Sequence, residues 1–144
     1  VIPGIDFVHI GLNDIHIERR TTFMFEFLAD GGVDQIANKL RKVNVPFGFG
    51  GIARIGNLVP KAERILAEHF RLGSTGVILS RSFCHPSQAN GTKSFENLFL
   101  REMAKLHKQE LIIAKKDAKY FEVNRLNVIE DVSSVVRQIN ESQT

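Results

Sequence analysis

The sequence predicts an α/β fold: consecutive strand–helix units laid on a parallel sheet. Three short apolar runs predict it, FVHIGLNDIH at 7–16, PFGFGGIARIG at 46–56 and TGVILSRSFC at 75–84. Each run is followed by a segment with helical apolar spacing. Each also ends in glycine and polar residues. That places them at the carboxyl ends of the strands, the edge where α/β folds hold their ligands.

Residues 7–12 are almost continuously apolar, as in a strand covered on both faces. Gly11 is predicted to open a turn at Asn13 and Asp14. Residues 15–30 read as a long connection carrying Phe23, Met24, Phe25, Phe27 and Leu28, apolar enough to pack as short helical turns. A helix is predicted over 32–43, with Val33, Ile36, Ala37 and Leu40 on one face. Pro46 ends that connection, and Phe47, Gly48 and Phe49 lead a second strand into Gly50 and Gly51. The next helix is predicted over 58–72, with Gly73 as its stop. Residues 76–79 form the third strand. A long amphipathic helix is predicted at about 94–116 from Phe95, Leu98, Phe99, Met103 and Leu106. A last helix is expected around Ile129, Val132, Val135, Val136 and Ile139, with a polar end that frays.

The order implies parallel pairing with right-handed crossovers. Residues 1–93 read as three βα units of a partial barrel and 94–144 as carboxyl-terminal helices. The sequence opens on a strand soon after Val1, and three units are too few to close a barrel. The expectation is therefore the carboxyl-terminal part of a larger catalytic domain. Three strands alone leave two unpaired edges on an apolar sheet, an aggregation hazard. Upstream sequence or a second copy is expected to complete it.

Composition narrows the classes. With 43% apolar and 24% charged residues, 144 residues suffice for a packed core. The net charge of +3 comes from lysines and arginines in the last helices, where acidic residues are interspersed. Without aromatic interleaving this reads as a solvated face, so no nucleic-acid partner is expected. No run reaches the ~18–20 apolar residues of a membrane span. The single Cys84 cannot form an internal disulfide and suits a reducing compartment, so a cytoplasmic location is expected.

Three loops carry candidate chemistry. In GLND, Asp14 is a hard oxygen ligand for a divalent cation, and the amides of Asn13 and Asp14 suit a substrate carboxylate, with Gly11 allowing close approach. From spacing alone, an Asx-turn in which Asp14 bonds its own backbone accounts for the residue better. After the second strand, Gly50 and Gly51 expose backbone donors, and Arg54 adds a forked cation. Tight packing would explain those glycines as well. Ser80 and Arg81 close the third strand and suit an anion, although a structural ion pair serves Arg81 as readily. No base stands at a readable spacing from Ser80 or Ser82, which argues against a serine nucleophile. Of the five histidines, His9 and His69 read as structural, while His16 and His85 lie in loops that reach a site. No histidine pair has zinc-ligand spacing.

At GIDFVHIGLNDIH, ADGGVDQIANKL, PFGFGGIARIG and AEHFRLGSTGVILSRSFC, the chain resembles the HpcH/HpaI aldolase/citrate lyase family of phosphoenolpyruvate- and pyruvate-binding barrels. The resemblance covers roughly residues 3–85. It implies a (β/α)₈ barrel in which this chain supplies the sixth to eighth strands. It also implies carbon–carbon lyase chemistry beside a pyruvate-like or acyl-CoA enolate held on Mg²⁺ or Mn²⁺. By match with the family's G-P-x-D-L segment, Asp14 takes the metal role, and Asn13 with Asp14 the carboxylate role; Leu12 replaces the usual proline. The family's second metal carboxylate, its arginine and its histidine come from earlier strands, so the chain alone is expected to be inactive. A homo-oligomer is expected, with the helix at about 94–116 exchanged between copies. The rival reading is a non-catalytic anion- or oxo-acid-binding or assembly module derived from the same barrel.

Overall fold

A computed structural model describes residues 3–144; Val1 and Ile2, where the sequence begins, lie outside the described residues. The elements run β1 (Val8–Ile10), α1 (Leu12–Arg19), α2 (Glu26–Ala29), α3 (Gly32–Lys42), β2 (Phe47–Ile52), α4 (Ala62–Leu72), β3 (Gly76–Leu79), α5 (Thr92–Ile113) and α6 (Ala118–Ser142). A short 3₁₀ turn at Pro86–Gln88 precedes α5. The three strands are parallel and ordered β1-β2-β3, as the alternation of elements implies.

Side chains alternate across the strands. Val8 and Ile10, Phe47 and Phe49, and Val77 and Leu79 turn toward the helices. One core joins Ile10, Phe47 and Phe49 to Leu28, Val33, Ile65 and, from α6, Val128 and Val132. A second core joins Ile52, Ala53, Leu66 and Phe83 to Leu106 and Ile113 of α5. The opposite sheet face is bare. Phe7 is 45% exposed there and Ile78 56%, with His9 also exposed. The Phe7 ring occupies the space where a β-carbon of Gly76 would project, and a β-carbon on Gly48 would run into the Gly76 carbonyl.

Gly50 changes the phase of β2. It sits at φ 54°, a left-handed conformation that glycine adopts without steric cost. The register shifts between Gly48 and Gly51, so Phe49 and Ile52, three residues apart, both reach the helix side.

Four boundaries differ from expectation. Residues 12–19, expected as a turn and connection, form α1. The helix expected from residue 58 starts at Ala62. The last helix begins at Ala118, where Asp117 caps it by accepting from the Tyr120 amide at 2.9 Å. Its polar end stays helical to Ser142.

Charged groups tie the helices together. Arg71 of α4 forks onto Glu68 and, from α3, Asp34, each at 2.7 Å. Arg125 of α6 donates to the Leu28 carbonyl at 2.8 Å and the Ala29 carbonyl at 3.2 Å. Glu68 is fully buried, and its charge is matched by Arg71 and Arg125. A carboxylate left there alone would be strongly destabilising.

Candidate functional site

The carboxyl ends of β1 and β2 enclose a cleft of about 220 Å³ lined by His9, Gly11, Leu12, Asn13, Asp14, Met24, Gly50, Gly51 and Ile78. Five of the expected residues, Gly11, Asn13, Asp14, Gly50 and Gly51, therefore meet in one place. Asn13 and Asp14 occupy the first turn of α1, with Gly11 as its N-cap. The first intrahelical bond runs from the Ile15 amide to the Gly11 carbonyl at 3.1 Å. The amides of Asn13 and Asp14 have no backbone acceptor among the described residues. Unpaired first-turn amides and the positive end of the helix dipole favour an anion. The helix thus aims these donors more firmly than the turn expected from the sequence.

Asp14 is exposed, and its carboxylate lies back over Gly11, where a β-carbon at residue 11 would collide with it. Gly50 is packed against the Leu12 side chain, and a β-carbon there would crowd Leu12. Gly11 and Gly50 thus let backbone, carboxylate and helix start come together.

The other expected residues divide. Ser80 lines a second cavity, which shares Met24 and Gly51 with the first. Its hydroxyl donates to the Ile52 carbonyl at 2.9 Å. Arg54 is turned into the chain: its Nε donates to the Phe83 carbonyl at 3.2 Å and its guanidinium to Gln88 Oε1 at 2.8 Å. Glu102, on α5, stands 3.8 Å from Arg54 Nε. Burial pushes the Glu102 carboxyl up, but Lys105, Arg101 and Arg54 outweigh it and hold the group below its ordinary value. Arg54 therefore anchors α5 to the end of β2. Arg81 is exposed and makes no side-chain hydrogen bond or ion pair among the described residues.

Two histidines change places relative to expectation. His9, expected to be structural, is exposed on β1 and lines the cleft. The signal was present: it stands two residues before Gly11, so it points to the same side of the strand. His16, expected to reach the site, instead bonds Thr21 Oγ1 at 2.7 Å at the end of α1. Met24 and Ile78 were also missed as lining residues.

A larger cavity of about 310 Å³ lies at the opposite, amino-terminal end of β3, beside His69, Ser74 and Thr75. Its histidine and serine are committed to each other, with Nδ1 and Oγ 2.7 Å apart. The smaller cleft is the better candidate because its donors are unpaired and it lies on the carboxyl-end rim.

The residues present do not make a metal centre by themselves. Asp14 is the one carboxylate lining the cleft, and no group of three histidine, cysteine or acidic side chains converges among the described residues. No helix among the described residues is long and apolar enough to cross a membrane. No protein-family model, curated protein or solved structure matches the chain.

Proposed function

We propose that the protein is the carboxyl-terminal part of an aldolase- or lyase-type (β/α)₈ barrel whose cleft binds a 2-oxo acid. The alternating parallel topology and the bare sheet face, which would line the barrel interior, support this reading. One observation carries it: the unpaired amides of Asn13 and Asp14 open onto a cleft walled by Gly50 and Gly51. The amides would hold the acid's carboxylate, the glycines would let its carbonyl approach the backbone, and His9 would give or take a proton. A Mg²⁺ or Mn²⁺ ion at Asp14 would need further ligands from outside this chain, and no step is assigned to it. The unpaired Cys84 suits the cytoplasm. Acyl-CoA is a second substrate class for the same carbonyl chemistry.

A non-catalytic binding or assembly module is the second reading. It is favoured by the single carboxylate in the cleft and by the exposed Phe7 and Ile78 on the bare sheet face.

Calorimetric titration with pyruvate and with oxalate, with and without Mg²⁺, tests the proposal. Both ligands are expected to bind, oxalate more tightly in the presence of Mg²⁺. Asp14→Asn is expected to remove that Mg²⁺ enhancement without unfolding the protein, because the side chain is exposed. Absence of binding by both ligands, or an undiminished Mg²⁺ effect in the variant, would overturn it.

A further inference from the structure

A second cavity adjoins the cleft. It is more enclosed, has a volume of about 140 Å³ and shares Gly51 and Met24 with the cleft. Their chemistry differs. The first presents backbone donors and Asp14. The second is walled by Phe25, Ala53, Leu58, Pro60 and Ile65. No charged side chain lines it among the described residues; its polar side chains are Ser80, whose hydroxyl donates to the Ile52 carbonyl, and the exposed Ser82. Leu58 lines this cavity at φ 68°, an uncommon backbone conformation for a branched side chain, and stays 58% exposed. The chain keeps an apolar group at the cavity without burying it.

We propose that this cavity receives the hydrocarbon substituent of the 2-oxo acid whose carboxylate sits on the amides of Asn13 and Asp14. The substrate class is then a 2-oxo acid with a short straight or branched alkyl chain. A phosphorylated acid does not fit, because its charged tail would be stripped of water beside two serine hydroxyls and no cation. This inference rests on the reading that the first cleft binds an oxo-acid.

The test is calorimetry on the full chain with pyruvate, 2-oxobutanoate, 2-oxopentanoate and 4-methyl-2-oxopentanoate. Each methylene buried in the cavity strengthens binding by up to about fourfold. The longest acids are expected to bind on the order of tenfold more tightly than pyruvate. Ala53→Leu fills the cavity and is expected to bring that ratio to about one. Leu58→Ala, at an exposed position, is expected to lower it severalfold and keeps the test readable if the buried substitution impairs folding. A flat or falling series with pyruvate still bound would overturn the alkyl cavity and leave the carboxylate site standing. Failure of every 2-oxo acid to bind would overturn the carboxylate site and this inference with it.

Discussion

His16 and His69 occupy equivalent places in two helices. Each accepts, through its carbonyl, the amide five residues on: Thr21 to His16 at 3.2 Å, Ser74 to His69 at 2.9 Å. Each follows this with a ring Nδ1 contact of 2.7 Å to the hydroxyl of that same residue. Arg20 and Gly73 supply the left-handed residue that such a helix ending requires. The recurrence marks the His69–Ser74 pair as a helix stop rather than a nucleophile with its base. Ser74 also donates to the Gly76 carbonyl at 3.1 Å. His69 Nδ1 must then be the donor to Ser74, which leaves Nε2 a bare lone pair, buried and unpaired. The ring stacks on Phe49 at 3.8 Å. Burial, with a smaller effect from the charge on His9, lowers the His69 imidazole to about 3. The folded state therefore keeps His69 neutral where the unfolded chain takes up a proton. Its contribution is complete above pH 6.5 and is lost as pH falls from there toward 3. Denaturation in urea is expected to show a loss of about 2 kcal/mol between pH 6.5 and 5. His69→Phe, which keeps the ring stack, is expected to flatten that slope. An unchanged slope in the variant would contradict this origin.

At the scale of elements, strands and helix faces were legible because their signals are periodic. Phe47 and Phe49 around Gly48, and Val33 with Ala37, repeat at the spacing of the element they form. Helix α1 was not legible, because Asn13 and Asp14 are also turn formers. Their position decides the matter: Asp14 lies in the first turn, where the helix dipole favours an acid, and Arg19 lies in the last. The start of α6 was missed for a similar reason. The signal there is a single side chain, Asp117, rather than a repeat. Asp117→Ala is expected to cost about 1 kcal/mol, read as a lower urea midpoint; no change would show that α6 is held by Arg125 and its packing alone. The site was legible in part. GLND and GFGG follow their strands directly, so strand order brings them together. The fate of Arg54 depends on Glu102 and Gln88, 48 and 34 residues away in the chain, and no local pattern carries that.

At the scale of the whole molecule, the helices cover one face of the sheet and leave the other open. Parallel sheets are ordinarily covered on both faces. Burying a large apolar side chain such as Phe7 or Ile78 is worth on the order of 2 kcal/mol. The 22-residue α5 exposes two further large apolar side chains, Leu100 and Leu111, at 65% and 67%. Sedimentation is expected to show a dimer or larger species at micromolar concentration, shifted toward monomer by Ile78→Lys. A well-behaved wild-type monomer would contradict association through this face. Whether the first turn of α1 and the paired glycines of β2 hold a 2-oxo acid is tested most directly by amide chemical-shift mapping with pyruvate. The expected result is saturable shifts at Asn13, Asp14, Gly50 and Gly51, with the amides around Ser74 and Thr75 unmoved. Shifts confined to the opposite end of the sheet, or none at all, would contradict it.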